Sequence, residues 1–297
     1  MANSSLSVAN IDFTDIKNDL KGYLVSQDLL KDFNFDGSNM SVMLDILAYN
    51  TYMQNFYLNM VAAEGFIDSA QLRDSVVSHA KALNYLPGSH TSSKAVIDFE
   101  ILPANTPANI TLPKYTAFTT QVDSNTYTFT TDERITISAD TDGRYIVNDL
   151  DLYEGDVVYE YFTINSANTG QRFVLQNKEI DVDSLEVTVL TSATDTTNAV
   201  FTKSLTTIGL DGSSNVYFVV PAENEKYELQ FGDGVVGKKL INGNVVEAVY
   251  RKTAGELPNG ANSFSIGTND IPFTDTSISI VSTAKGGGIA ESIDSIK

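Results

Sequence analysis

The periodicity of apolar residues changes near residue 90, and this change limits the possible folds more than any other feature of the sequence. Before it, apolar residues recur at the three- and four-residue spacings of amphipathic helices. After it, short runs alternate apolar and polar residues, as strands with one buried face do. The sequence therefore predicts an α+β protein, with an N-terminal helical bundle segment followed by a mainly antiparallel β-rich domain.

Three helices are predicted before residue 90, over about residues 12–30, 41–64 and 68–86, with a turn-rich break at 33–39. Local sequence signals indicate where the second helix ends and where the third helix begins. Gly65 is the predicted C-cap of the second helix. Asp68 with Gln71 resembles a capping box for the third helix.

The second predicted helix is apolar around most of its circumference, so it has to be covered on most sides. Tyrosines are interleaved with its apolar residues, which favours a protein interface because tyrosine buries its ring while its hydroxyl finds a partner. The alternative is that this helix is the centre of a small bundle or docks on the β region of the same chain. The candidate residues for a partner interface are Leu44, Leu47, Tyr49, Tyr52, Phe56, Tyr57 and Met60.

After residue 90, short segments with strand patterns are separated by turn signals such as Asn242-Gly243. No amphipathic helix alternates with them, which argues against a parallel doubly wound sheet. The predicted strands are 95–102, 110–120, 127–137, 156–164, 171–177, 184–190, 215–220, 227–231 and 245–251.

The 297 residues carry a net charge of −19 and include no cysteine. The dispersed acidic side chains predict a solvated surface and argue against binding nucleic acid phosphates, which need a basic face. The lack of cysteine excludes disulfides, thiol catalysis and thiolate metal sites. The N-terminus lacks the features of a signal peptide. Polar residues interrupt the most apolar helical stretch, 42–63, which argues against a membrane span.

One glycine-rich stretch resembles two nucleotide-binding motifs. Gly232, Gly234 and Gly237 match G-x-G-x-x-G, and residues 232–238 match a phosphate loop without its final Ser or Thr. Both motifs require a helix directly after the loop. Here a hairpin signal and a strand pattern follow instead. The sequence therefore predicts a structural turn and no nucleotide site.

In this interpretation the turn leads from the strand at 227–231 into a hairpin closed by Asn242-Gly243. The glycines supply positive φ and close backbone approach. Asp233 is expected to accept hydrogen bonds from turn amides, or else to pair with Arg251.

No set of residues forms a credible active site. The two histidines, His79 and His90, have no partner set for catalysis or metal binding, and no G-x-S-x-G motif occurs. The run 148–156 lacks the residues that an EF-hand needs and is predicted to be a solvated turn, with a calcium site in a β loop as the alternative. The chain is predicted not to be an enzyme and to bind no cofactor, metal or small-molecule substrate.

A longer pattern spans residues 227–260, in which F-G-D-G-x-x-G is followed by G-x-x-V, Y-R, T-x-G and N-G. It resembles the signature of the baseplate J-like family of contractile-tailed bacteriophages. The helical stretch 29–87 resembles the wedge-protein branch of that family from T-even-like phages. The residues that match the signature are Phe231, Gly232, Asp233, Gly234, Gly237, Asn242, Gly243, Tyr250, Arg251, Gly255, Asn259 and Gly260.

The resemblance implies a structural role in the virion tail baseplate, assembled in the host cytoplasm around the tail tube. It implies that the protein passes baseplate rearrangement to the contractile sheath. The implied partners are a second copy of the chain and other wedge proteins, including a sheath-initiating one, with no nucleic acid and no membrane. The alternative hypotheses are a tail adhesin module that binds host glycan and a nucleotide-dependent enzyme.

The resulting domain prediction has three parts. Residues 1–90 form the helical, partner-binding bundle region, and residues 91–284 form the β-rich baseplate J-like domain. Residues 285–297 are predicted to be a glycine-rich linker. Because T-even-like members extend further, the C-terminal part that closes the ring is expected to be missing, shortened or supplied separately.

Overall fold

A computed structural model describes residues 7–27, 38–103, 105, 107–267 and 275–297. The chain divides into two compact units. We call Met1–Tyr85 with Ser292–Lys297 the helical unit, and Leu86–Glu291 the β unit. The predicted α+β class is confirmed. Among the described residues, no helix combines the length and the apolarity that a membrane crossing requires.

In its described residues the helical unit contains four helices: α1 (Phe13–Val25), α2 (Asn39–Glu64), α3 (Arg73–Ala82) and α4 (Ile293–Ile296). Asp12 caps α1 by accepting hydrogen bonds from the amides of Thr14 and Asp15 at 2.7 and 3.0 Å. Ser38 caps α2 in the same way, through the Ser41 amide at 3.1 Å. The first helix ends at Val25, five residues before its predicted end, and the last three of those residues lie outside the described part of the chain.

The third helix begins at Arg73, so the predicted capping box of Asp68 and Gln71 is wrong. The carboxylate of Glu64 caps this end instead, accepting hydrogen bonds from the amides of Gln71 at 2.9 Å and Leu72 at 3.2 Å. Burial acts to raise the pKa of Glu64, but these backbone bonds outweigh it and the pKa is lowered. A cap donated by the end of the preceding helix is invisible to a local sequence motif.

Gly65 ends α2 as predicted, although its φ of −72° is right-handed rather than left-handed. Inside the unit, α1 and α2 bury Ile16, Leu44 and Ala48. A second small cluster joins α3 to α4 through Ala70, Val76, Ala80 and Ile296. The buried side chains of this unit are few and mostly small.

The β unit contains three sheets. The six-stranded sheet has the order β14-β3-β4-β6-β1-β15, the seven-stranded sheet has the order β7-β13-β9-β10-β11-β12-β8, and β2 pairs with β5. Apart from the parallel pair β10–β11, the strand pairs in these sheets are antiparallel. The strands are β1 (Lys94–Ile101), β2 (Asn109–Leu112), β3 (Ala117–Val122), β4 (Asn125–Thr130), β5 (Ile135–Ser138), β6 (Tyr145–Glu154), β7 (Asp156–Thr163), β8 (Phe173–Val174), β9 (Ile180–Leu190), β10 (Asn198–Lys203), β11 (Val216–Pro221), β12 (Tyr227–Phe231), β13 (Val245–Lys252), β14 (Ser265–Ile266) and β15 (Thr276–Lys285).

Each large sheet has its own apolar core. In β1 every second residue is buried, which places Ala95, Ile97, Phe99 and Ile101 in the core of the six-stranded sheet. The rings of Phe99 and Phe118 meet edge to face there, with centroids 5.4 Å apart. The core of the seven-stranded sheet is centred on residues such as Val187, Leu229 and Tyr250. Period-2 alternation in the sequence is therefore the direct cause of both cores.

Several strand predictions need correction. The predicted strands 110–120 and 127–137 are each divided in two, and β6, β10, β14 and β15 are absent from the predicted set. The run 148–156 is not a solvated turn, because most of it lies in β6. Leu150 and Leu152 alternate with acidic residues and are buried in the sheet core. The alternation of Leu and Asp in that run is a strand pattern, which the abundance of acidic residues obscured.

Candidate functional site

Helix α2 exposes a large apolar surface. Ten of its large apolar side chains are between 45 and 66% exposed, namely Val42, Met43, Ile46, Leu47, Tyr49, Phe56, Tyr57, Leu58, Met60 and Val61. Soluble monomers rarely leave contiguous apolar patches of this kind uncovered, and such patches mark interaction sites.

Two asparagines of α2 bind the chain segment that leads into α1. Asn59 accepts hydrogen bonds from the amides of Val8 and Ala9, both at 2.8 Å, and donates one to the Ala9 carbonyl at 2.8 Å. Asn55 donates to the Asn10 carbonyl at 2.7 Å. The asparagines of α2 therefore hold the extended segment that precedes α1.

A different side of α2 carries a coiled-coil repeat. Six residues recur at alternating spacings of four and three, and we call them the α2 seam: Val42, Ile46, Tyr49, Met53, Phe56 and Met60. The two charged residues of α2 lie elsewhere: Asp45 pairs with Lys17 at 2.5 Å, and Glu64 caps α3. The seam therefore presents an uncharged apolar stripe of the type that packs against another helix.

The structure places the predicted interface residues in three different settings. Tyr49, Phe56 and Met60 belong to the α2 seam, and Leu47 and Tyr57 are exposed beside it. Tyr52 is half-buried and stacks on Tyr49 with ring centroids 6.3 Å apart. Leu44 is only 4% exposed, so in this chain it is a core residue rather than a surface residue. The three further seam residues Val42, Ile46 and Met53 were missed, although their heptad spacing is present in the sequence.

The second candidate region is the glycine turn after β12. Asp233 accepts hydrogen bonds from the amides of Val235 at 2.8 Å and Val236 at 2.9 Å, which confirms its predicted role as acceptor of turn amides. These backbone bonds hold the pKa of Asp233 below its ordinary value. The other predicted partner, Arg251, pairs elsewhere.

The glycines of this turn are required by backbone geometry. Gly234 and Gly237 have φ of +95° and +79°. A Cβ on Gly232 would lie 2.1 Å from the carbonyl carbon of Gly237, so no larger residue fits there. Both predicted reasons for the glycines, positive φ and close backbone approach, are confirmed.

The predicted hairpin is wrong. The turn at Asn242-Gly243 is present, with the Asn244 amide donating to the Ile241 carbonyl at 3.1 Å, but the residues just before it form no strand that pairs with β13. Strand β13 pairs with β7 and β9 instead, and β12 pairs with β11 and β8. Asn242 and Gly243 contact the end of β7 instead: Asn242 accepts from the Ser166 amide at 3.0 Å, and the Gly243 amide donates to the Ile164 carbonyl at 3.0 Å. A turn signal identifies a chain reversal but not the strand that receives the returning chain.

The second half of the signature builds a buried polar junction. The guanidinium of Arg251, a residue only 3% exposed, donates to Asp132 at 2.6 Å and to Thr130 at 3.2 Å. It lies 5.1 Å from the Tyr153 ring centroid and 5.8 Å from that of Tyr115. Arg251 is on β13 of the seven-stranded sheet, and Thr130 and Tyr153 belong to the six-stranded sheet. The signature arginine thus connects the two sheets.

The loop after β13 extends this junction. Thr253 donates to the buried carboxylate of Glu154 at 2.5 Å, and the Ala254 amide donates to it at 3.2 Å. Burial raises the pKa of Glu154, and the bond from Thr253 only partly offsets this effect. The side chain of Asn259 accepts from the Gly287 amide and donates to the Gly287 carbonyl, at 3.0 and 2.9 Å.

The glycine-rich segment predicted to be a linker is packed at this junction. A Cβ on Gly287 would lie 2.1 Å from the Gly255 carbonyl oxygen, and Gly288 forms a β-bridge with Thr91. The signature glycines Gly255 and Gly260 have φ of +67° and +90°. These glycines therefore allow backbone segments to touch inside the β unit, rather than providing a flexible connection.

The described residues contain no group of His, Asp or Glu side chains placed to hold a metal ion. His79 lies in α3, with Nε2 2.9 Å from the Glu64 carbonyl oxygen, a structural contact. An open cavity of about 630 Å³ adjoins the glycine turn and is lined by residues such as Asn165, Gln171 and Phe231. The Asn165 and Gln171 side chains bond the backbone of their own loop and of the adjoining end of β7.

Comparison with known proteins relates the chain to baseplate proteins. Residues 12–85 match the family model described as baseplate wedge protein gp6-like, helical domain. The chain is 26% identical to baseplate wedge protein gp6 of Enterobacteria phage T4, over 96% of this chain and 46% of that protein. The chain thus spans about half the length of the curated relative it matches.

Among solved structures, the chain is similar to one in the cryo-EM structure of the anti-feeding prophage baseplate, 6-fold symmetrised. The identity is 13% and the TM-score 0.33, with 96% of this chain and 49% of that chain covered. A similarity at this level carries no argument about fold or function. The family-model match covers the helices and not the signature at 227–260.

Proposed function

We propose that this chain is a structural wedge component of a contractile phage tail baseplate. In this role it assembles around the tail tube and helps couple baseplate rearrangement to sheath contraction. The match of residues 12–85 to the wedge helical domain and the 26% identity to a wedge protein support the proposal. The protein acts in the virion tail after assembly in the bacterial cytoplasm, and it acts without catalysis.

The observation that carries the proposal is the uncharged α2 seam. It lies within the stretch that matches the wedge helical domain, and its own unit leaves five of its six residues exposed, with Met53 half-buried. Burying such a stripe against partner helices gains roughly 25 cal/mol for each Å² of apolar surface removed from water. The seam can therefore serve a scaffold subunit as the surface that binds helices of neighbouring subunits.

The partners we propose are a second copy of the chain and other wedge proteins, including a sheath-initiating one. The helical region, residues 1–90, makes the helical contacts. The β-rich region, residues 91–284, has the role of a baseplate J-like domain, and the buried junction of Arg251, Glu154 and Asn259 supports it. That junction fixes the two sheets to each other, as a part that transmits force would require.

The test is a double substitution in the α2 seam, Ile46→Asp with Phe56→Asp, in the full chain. Both side chains are exposed, at 64 and 45%, so the chain should still fold. Placing charges in a helix–helix interface costs several kcal/mol, and the variant should lose co-purification with the other wedge proteins of the same phage. The matched control is Asn50→Asp with Gln54→Asp, which adds the same charge to exposed positions off the seam.

The proposal requires the control to bind as the unmodified chain does, with an unchanged circular dichroism spectrum for both variants. Full retention of partners by the seam variant would contradict it. Equal loss in both variants would show a general charge effect rather than a helix interface, and would also contradict it.

A further inference from the structure

The β unit has four outer strands in its two large sheets, and three of them are protected. Exposed edge strands offer unpaired backbone groups, and proteins normally protect them by shortness or by charge. Strands β8 and β14 contain two residues each. Strand β7 carries Asp156 and Glu160.

Strand β15 has neither protection. It is ten residues long, and no charged residue or proline occurs from Thr276 to Ala284. In the described part of the chain, β15 pairs within its sheet with β1 alone. Ser277, Ser279 and Val281 are exposed, while Ile278 and Ile280 pack against the core. An unprotected edge of this length is a site for strand addition.

At the C-terminal end of β15, backbone groups of Ala284 are already paired with Gly260 and Ala261. The Ala284 amide donates to the Ala261 carbonyl at 2.9 Å, and its carbonyl accepts from the Gly260 amide at 2.7 Å. The part of β15 left for an added strand is therefore Thr276–Ser282. It runs directly opposite Ile97–Ile101 until the register shift near Val281.

The charges at the two ends of β15 select the direction of an added copy. Asp275 precedes the strand and Lys285 ends it. Antiparallel pairing of two copies brings unlike charges near each other at both ends, whereas parallel pairing brings like charges together. The chain carries a net charge of −19, which opposes self-association through its acidic surfaces, whereas the segment from Thr276 to Ser282 adds no charge to the contact.

The sequence of β15 is also nearly symmetric about its middle. Around Ser279, Ile278 would face Ile280 of the second copy, and Thr276 would face Ser282. The core-facing isoleucines thus meet on one face of the sheet, and on the other face Ser279 meets Ser279 while Ser277 faces Val281. Isologous contacts of a two-fold dimer require this kind of self-complementarity.

We propose that β15 pairs antiparallel with β15 of a second copy of this chain, with the two-fold axis at Ser279. The pairing joins two six-stranded sheets into one continuous sheet. It rests on the proposed function only in taking a second copy as partner, and it uses a surface separate from the α2 seam.

The absence of cysteine allows a direct test. Directly opposite residues in an antiparallel pair have Cα atoms about 4.5–5.5 Å apart, within the range of a disulfide. Ser279→Cys in the full chain should give a covalent dimer under mild oxidation. Thr126→Cys, at an exposed position of β4 in the same sheet, is the control and should remain monomeric on a denaturing gel.

The register is tested with two further single cysteines. Ser277→Cys and Val281→Cys should cross-link poorly alone, because each faces the other position across the axis. A mixture of the two variants should cross-link as Ser279→Cys does. Equal yields from every position, control included, would indicate random collision and overturn the proposal.

Charge at the axis gives an independent measurement. Ser279→Lys and Ser279→Glu each place like charges opposite each other, and dimer affinity should fall at least about tenfold for each variant alone. An equal mixture should recover the affinity, measured by sedimentation. Thr126→Lys and Thr126→Glu should leave it unchanged. No loss in either Ser279 variant would overturn the proposal.

All these variants are made in the Ile46→Asp, Phe56→Asp background, so that helix association does not contribute. Cross-linking at Ser279 in this background supports the strand pairing whether or not the seam binds wedge proteins. If Ser279→Cys fails while the seam variant loses its partners, the strand pairing is wrong and the proposed function stands.

Discussion

The helical unit and the β unit bury their apolar residues to very different extents. In the β unit, two clusters of fully buried aliphatic and aromatic side chains close the large sheets. In the helical unit, the buried apolar residues are few, and α2 exposes most of its large side chains. The β unit therefore has an apolar core of its own, whereas the helical unit exposes an apolar surface of the kind that binds a partner.

This difference indicates how stability and recognition are divided along the chain. The signature glycines and the buried Arg251 make the β unit rigid by exact backbone fit and by a polar junction. The α2 seam has no comparable network, because its six residues are uncharged, and the asparagines and charged residues of α2 that bind α1 or cap α3 lie outside it. Substitutions should consequently affect folding in one unit and association in the other.

The largest expected difference between the two units is in the effect of truncating a phenylalanine on the free energy of unfolding. Phe99→Ala removes a fully buried ring from the β unit and should lower the free energy of unfolding by about 3–5 kcal/mol. Phe56→Ala removes an exposed ring of the α2 seam and should change it by about 0.5 kcal/mol or less in the isolated chain. Urea denaturation measures both. If the two variants lost similar amounts of unfolding free energy, Phe56 would be buried in solution, and the two units would not differ in how they bury apolar residues.

Arg251 tests whether the junction depends on its geometry or only on its charge. Arg251→Lys keeps the charge but loses the forked donation to Asp132 and Thr130. We expect a loss of about 1.5–3 kcal/mol, the usual value of hydrogen bonds to charged groups. In the helical unit, Lys17→Arg at the more exposed pair with Asp45 should have little effect. An unchanged melting temperature for Arg251→Lys would mean that any cation suffices.

Glycine-to-alanine substitutions should have opposite signs in the two units. Gly234→Ala imposes a side chain at φ +95° and should destabilise the β unit by about 1–2 kcal/mol. Gly22→Ala lies in α1 with open space around it and should stabilise the helical unit by about 0.5–1 kcal/mol. Hydrogen exchange of each unit reports the two changes separately. A Gly234→Val variant that melts like the unmodified chain would show that the turn has no structural role.

The smallest expected effect is a pair of opposite pH dependences. The pKa of Glu154 is raised by burial, so ionisation disfavours the folded state, and this penalty grows as pH rises from about 4.5 through the raised pKa. The stability gained by Glu154→Gln relative to the unmodified chain should therefore increase over that range. Urea denaturation at a series of pH values measures the stability difference between Glu154→Gln and the unmodified chain. A difference that did not change with pH would contradict the prediction.

Glu64 of the helical unit should show the reverse sign. Its pKa is lowered, so its carboxylate contributes stability above pH 4.5 that is lost as pH falls through the lowered value. Glu64→Gln should consequently cost stability at neutral pH and approach the unmodified chain in acid. The same pH series measures both glutamates, and slopes of equal sign would refute the assignment.

Much of the local structure follows from sequence spacing. The boundary near residue 90, the position of α2 and the roles of Asp233 and the turn glycines depend on neighbours within a few residues, and each was predictable. The misassigned run 148–156 shows the limit of composition, because its buried leucines decide its structure and its acidic residues do not.

The sequence by itself determined the helix-then-strand order, the architectural role of the glycine motif and the excess of apolar surface on α2. Only the tertiary structure decided that β12 and β13 are not neighbours, that Glu64 caps α3, that Arg251 pairs with Asp132, and which side of α2 is exposed. The physical reason is the separation in sequence of the residues that interact. Periodicity and positive φ act between adjacent residues, whereas strand order and ion pairing depend on residues that become neighbours only when the chain folds.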